Sequence, residues 1–244
     1  MAAPADRPAF YALAPGGWRD LVTLLHPPYT AWHLSYVAIG AALAPHLHAV
    51  RLVAALGAFF LAVGVAAHAL DELAGRPLRT RLSDRTLIGL ATTSLAGAAA
   101  IGAIGAATIS PTLIPFTLAG VFLVLAYDLE WFGGRFHTDA WFAIAWGGFP
   151  AATGYWCNAL TVRPAGLAAL GGCIAMSVAQ RRLSGPVREL RRRTVSVSGE
   201  QRLRDGRVRT LDAAALAATL DGALRACAAA ITLLAIALVL LRLG

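Results

Sequence analysis

The feature that most constrains this chain is the recurrence of apolar runs about as long as a bilayer is thick. Seven of them follow one another, at about 31–47, 51–70, 86–108, 112–128, 138–157, 164–180 and 213–241. A run of about 20 apolar residues crosses the hydrocarbon layer as a helix. Inside lipid, every backbone N–H and C=O must be satisfied within the segment or within a closed barrel. These runs are continuous rather than alternating, which excludes the barrel. Composition agrees: 58% of the chain is hydrophobic, only 14% is charged, and the mean hydropathy is +0.64. A soluble domain carries about 25% charge. The sequence therefore predicts an all-α, polytopic transmembrane helical bundle of about seven spans over residues 30–244. Before it lies a polar, proline-broken segment, residues 1–29, expected at the cytoplasmic interface with Trp18 as an anchor and without the pattern of a cleaved signal peptide.

Charge sets the expected orientation. With alternating spans, Arg7, Arg19, Arg76, Arg79, Arg81, Arg85, Arg135 and the dense run from Arg181 to Arg209 fall on one side, leaving Arg51, Arg163 and Arg242 on the other. The arginine-rich side is expected to be cytoplasmic, which puts the N-terminus inside and the C-terminus outside an integral cell membrane of bacterial inner-membrane type. All 13 Asp and Glu residues lie on that same side or at its edge, so any chemistry belongs at the cytoplasmic mouth. The net charge of +8 is explained by topology and lipid headgroups. Nucleic acid is not an expected partner, because the arginine-rich run at about 181–210 lacks interleaved aromatics and is tied between two spans. Cys157, Cys173 and Cys227 lie in or near apolar segments without metal spacing and read as small buried hydrophobes. The chain has no lysine, which excludes a retinal Schiff base.

The second span ends in "HALDELAGRPL", where His68, Asp71, Glu72 and Arg76 stand at helical spacing and line one expected face. Ionisable groups at this depth are costly unless they meet a partner or a polar cavity. The bland alternative is a set of wetted helix-end charges with Glu72 and Arg76 paired. A second polar cluster, "YDLEWFGGRFHTDAW", joins spans four and five. There Gly133 and Gly134 allow a tight reversal and Thr138 or Asp139 can cap the following helix.

At "AHALDELAGRPLRTRLSDRTL" the chain resembles the UbiA-type intramembrane prenyltransferase superfamily. In that family span two ends in N-D-x-x-D-x-x-x-D, followed by an Arg-Pro-Leu element. Asp71 keeps the middle aspartate and Arg76, Pro77 and Leu78 keep the element, whereas His68 and Gly75 replace the outer aspartates. The entry into span one, "WRDLVTLLHPPYTAWHLSYVAIGAAL", fits as well, and "LAYDLEWFGGRFHTDAWFAIAWGGFPAATGYW" resembles the family's span four, polar loop and glycine-rich span five. The family's second aspartate motif is replaced by "AQRRLSGPVRELRRR", and its usual nine spans become seven.

The resemblance implies a bundle acting on an isoprenoid phosphate or diphosphate, by prenyl transfer or terpenoid cyclisation at the cytoplasmic face. It implies His68, Asp71 and Asp128 as catalytic groups. In the family, magnesium held by aspartates bridges to the diphosphate, which here would fall to Asp71 and Glu72. Arginine is the other expected means of holding phosphate, because guanidinium binds it bidentately without a metal. Arg76, Arg79, Arg135, Arg181 and Arg182 are the candidates, and Tyr127, Trp146 and Tyr155 are expected to line the substrate cavity. The loss of metal-binding aspartates equally fits a non-catalytic UbiA-like lipid-binding, carrier or assembly protein, and the oligomeric state is left open.

Overall fold

The structure is a computed structural model that describes residues 7–244. A short helix, α1 (Trp18–Leu24), lies before the bundle. Its Asp20 is buried and accepts from the Gly16 and Arg81 amides at 3.0 and 3.1 Å, tying the N-terminal segment to the loop after the third helix. Then come α2 (Pro27–Ala42), α3 (Ala49–Leu73), α4 (Asp84–Thr108), α5 (Pro111–Asp128), α6 (139–159), α7 (Pro164–Arg192) and α8 (Ala213–Leu243). Pro27 and Pro28 start α2 rather than merely turning the chain, since the first helical residues need no N–H for an intrahelical bond.

The protein is mainly helical, as expected. Four helices, α3, α4, α5 and α8, are long and apolar enough to cross a membrane. The other three expected spans are helical but of different character. α2 has only 16 residues and sits between α6 and α8, with Trp32, Tyr36, Val37 and Ala41 wholly buried. α7 leaves its apolar half at Arg181. α6 carries a π-helical stretch, Ile144–Gly148, and α3 carries another, Phe60–Ala67.

The α2–α6 contact is backbone against backbone. A Cβ built on Gly40 would lie 2.0 Å from the Ala151 carbonyl oxygen, and one on Gly154 would lie 2.1 Å from that of Val37. Small residues allow this approach, and with it dense packing between apolar helices.

Packing decides three further details. The glycines at 171–172 do not interrupt α7; open space surrounds both, and the helix also runs through Pro186 to Arg192. The expected arginine-rich loop is thus helical in its first part, because Gln180, Ser184 and Val187 are buried and supply an inward stripe at helical spacing. After α7 an antiparallel hairpin, β1 (Gly199–Arg202) with β2 (Val208–Leu211), carries the chain to α8. Finally, Asp221 and Arg225 are four residues apart, a spacing at which opposite charges can pair on a helix, yet they do not pair along α8. Asp221 points inward and binds the Arg191 guanidinium at 2.5 Å, while Arg225 lies over the Phe10 ring at 4.8 Å.

Candidate functional site

Where one end of α3, α5 and α6 meets the second half of α7, a polar cavity of about 140 Å³ opens. Each wall follows from a helix terminus. α3 ends at Leu73, before Gly75 with its φ of 156° and Pro77, so His68 and Asp71 lie on its last turns and face the cavity. α5 supplies Tyr127 and Asp128 from its final turn. The chain then reverses through Glu130, Phe132, Gly133 and Gly134, all at positive φ, and Thr138 caps α6 by accepting from the Trp141 amide. α6 contributes Phe142 and Trp146, and α7 contributes Gln180, Arg181, Ser184, Arg188 and Arg192. The N-terminal segment closes the remaining side with Tyr11, His26 and Tyr29.

The histidines are held in defined tautomers. His68 Nδ1 donates to the Gly64 carbonyl at 3.1 Å, His33 Nδ1 donates to that of Trp146 at 2.8 Å, and His137 Nδ1 donates to that of Tyr127 at 3.0 Å. A carbonyl can only accept, so in each neutral ring Nε2 keeps the lone pair and is the atom able to take a proton. His26 stacks on His68 with ring centres 3.9 Å apart. Burial first, then the proximity of His68, holds the His26 imidazole well below its ordinary range.

The rim is cationic. Arg181 Nε donates to Asp139 Oδ1 at 2.5 Å, and its guanidinium lies over the Phe142 ring at 5.2 Å. Beyond the apolar half of α7, Arg188 is drawn below its usual value by burial and then by the charges of Arg181 and Arg192. Repulsion among three arginines around one cavity is the condition that a bound anion relieves. Below them, Asp128 Oδ2, His26 Nε2, Gln180 Oε1 and Arg192 Nε are buried without a hydrogen-bond partner among the described residues. Buried polar atoms are ordinarily paired, and such a concentration at one cavity marks a place for a polar ligand.

Of the residues singled out from sequence, His68, Asp71, Tyr127, Asp128, Trp146 and Arg181 line this cavity. The remainder lie elsewhere. Arg76 does not share the helical face expected for it: at a φ of 55°, beyond the end of α3, it binds Asp84 and the Leu82 carbonyl. Arg79, Arg135 and Arg182 are not cavity-lining residues. Tyr155 is buried against Gly166, away from the cavity.

Glu72 is fully buried and structural. Its Oε1 accepts from the Thr80 amide and hydroxyl, both at 2.8 Å, and its Oε2 accepts from the Leu78 amide at 2.9 Å. A carboxylate committed in this way does not serve as a metal ligand. Among the described residues no group of three or more His, Cys, Asp or Glu side chains could hold a metal ion. Of the three carboxylates that line the cavity, Asp221 is paired with Arg191, which leaves Asp71 and Asp128, so the donor set does not fit a protein-held magnesium site.

Sequence reasoning missed His26, Tyr29, His33, Arg188 and Arg192. For the last two the signal was present: Arg181, Ser184, Arg188 and Arg192 recur at spacings of three and four, which a helix continued past residue 180 places on one face. The inward turn of His26 and His33 depends on the packing of α2 and has no local signature.

No family model matches the chain, nor does any curated protein or solved structure.

Proposed function

We propose that this integral membrane protein acts on an isoprenoid phosphate or diphosphate at the cytoplasmic end of a UbiA-like bundle of seven spans, with its N-terminus inside and its C-terminus outside. The observation that carries the proposal is the cavity with Arg181, Arg188 and Arg192 at its rim and His68, Asp71 and Asp128 within it. In the proposed reaction the allylic C–O bond breaks. The phosphate leaves as an anion whose growing charge the arginines neutralise from fixed positions. The carbocation, shielded from water and facing the rings of Tyr127, Phe142 and Trp146, is captured by an acceptor or by a double bond of its own chain. The proton released at that step passes to His68 Nε2 or to Asp71 or Asp128. No step depends on a metal held by the protein alone.

A second reading, a non-catalytic lipid binder or carrier, is favoured by the incomplete set of metal-binding carboxylates. Purified protein incubated with radiolabelled geranylgeranyl diphosphate separates the two. Release of diphosphate that is lost in Arg188→Gln/Arg192→Gln, and lowered in His68→Gln and Asp71→Asn, supports the enzyme. Saturable binding without release supports the carrier. Absence of both overturns the proposal.

A further inference from the structure

A second chamber, of about 120 Å³, lies directly beyond the polar one and is lined almost wholly by apolar side chains. The two are stacked along the same helices. On α3, Ala54, Ala58 and Ala62 face the apolar chamber while Ala67, His68 and Asp71 face the polar one. On α5, Thr117 and Gly120 precede Tyr127 and Asp128 in the same order. On α6, Cys157, Thr153 and Phe149 face the apolar chamber, and Phe142 faces the polar one.

Among the described residues, only Val63 and Trp146 line both chambers. Both residues sit in the π-helical stretches, Phe60–Ala67 and Ile144–Gly148. A π-helical turn inserts one residue into the helical repeat, which rotates the faces on its two sides relative to each other. It also alters the carbonyl pattern, and here the Trp146 carbonyl accepts from His33 Nδ1 at 2.8 Å. The Trp146 ring meets Tyr127 edge to face at 5.5 Å. The divider is therefore held from α2 and from α5. At the far end Arg51 lines the apolar chamber and donates to the Cys157 carbonyl at 3.1 Å. From Trp146 to Cys157 the α6 wall runs about 16 Å at 1.5 Å rise per residue.

We propose that the apolar chamber receives the hydrocarbon tail of the ligand whose charged head sits among Arg181, Arg188 and Arg192, and that Trp146, with Val63, determines how long a tail is admitted. This inference rests on the isoprenoid reading above and adds a specificity determinant to it. An amphiphile with an anionic head and a flexible apolar tail matches both chambers in their order, and the few polar groups of the apolar chamber are spent on backbone: Thr117, Thr153 and Arg51 donate to the carbonyls of Leu113, Phe149 and Cys157.

The test compares geranyl, farnesyl and geranylgeranyl diphosphate, by affinity and by diphosphate release, in wild type and three variants. Ala58→Phe fills the apolar chamber far from the head groups, and Thr153→Leu does so with a smaller change should the first variant fold poorly. Each is expected to weaken geranylgeranyl diphosphate by about tenfold, roughly a 1.4 kcal/mol effect, while geranyl diphosphate changes by less than about twofold. Trp146→Ala widens the passage between the chambers and is expected to raise the preference for the longest over the shortest donor by about tenfold. Equal effects on all three donors, or none, overturn the tail assignment and leave the head-group reading standing. Failure of wild type to bind any of the three overturns both.

Discussion

Replacing Glu72 separates a structural carboxylate from a ligand-binding one. Its two oxygens accept three hydrogen bonds, from the Leu78 amide and from the amide and hydroxyl of Thr80, in a site closed to solvent. Hydrogen bonds to a charged group contribute about 1.5–3 kcal/mol each. The three are not independent, and the Thr80 hydroxyl can turn to other partners. Glu72→Ala is therefore expected to cost about 4 kcal/mol, near the upper range for a single substitution. Glu72→Gln keeps one oxygen for Thr80 but sets an amide N–H₂ against the Leu78 N–H, so the Leu78 N–H and the new amide hydrogens lack an acceptor, at about 2 kcal/mol after local adjustment. For a chain of this length those costs correspond to losses of about 8–16 °C and about 4–8 °C in Tm. Because Cys157 and Cys173 are buried while Cys227 is half-buried, a thiol-reactive fluorophore added to detergent-purified protein in a Cys227→Ser background reports unfolding. Stability should fall in the order Glu, Gln, Ala, with prenyl diphosphate affinity measured well below Tm nearly unchanged. If Glu72→Ala melts within about 2 °C of wild type, or if Gln proves worse than Ala, the structural assignment is wrong.

Gly154→Ala places a Cβ 2.1 Å from the Val37 carbonyl oxygen, so α2 and α6 must part by more than an ångström. A loss of about 1–3 kcal/mol is expected, together with weaker ligand binding as His33 draws away from Trp146; unaltered melting and affinity contradict this close approach. The pH dependence of stability has a definite sign at His26. Unfolded, its imidazole gains a proton as the pH falls through about 6.5, whereas burial holds the folded group well below that value. Between the two values the unfolded chain carries the extra proton, so the contribution of neutral, buried His26 is complete above about pH 6.5 and is lost as the pH falls. Melting curves from pH 8 to pH 5 should decline more steeply in wild type than in His26→Gln, and parallel curves would argue against a buried neutral ring.

Much of the architecture was legible in the residues because its causes are local. Apolar run length identifies helices, and Gly75 with Pro77, residues that do not continue a helix, follows the end of α3. The turn at Gly133 and Gly134 and the Thr138 cap also follow from the intrinsic preferences of those residues. The extent of α7 was less legible: the arginine-rich stretch after residue 180 reads as a loop, yet the buried stripe Gln180, Ser184 and Val187 carries the helix onward.

The site was legible in part. Asp71 and Glu72 are neighbours in the chain and equally acidic, so composition and spacing give them similar chemistry. Adjacent helical positions differ by about 100° in direction, and only the packed loop at Leu78–Thr80 decides that one faces the cavity and the other is consumed by backbone amides. Arg76 and Arg188 differ for the same reason: the first is satisfied within its own turn, while the second is turned into the cavity by the helix that bears it. Run length and residue chemistry thus determined that the chain is helical, apolar and charged at its helix ends. Which charges converge, and that an apolar chamber lies behind them across Trp146, was decided by contacts between helices remote in sequence. Such contacts reflect the relative rotation of packed helices, a quantity that no single segment contains.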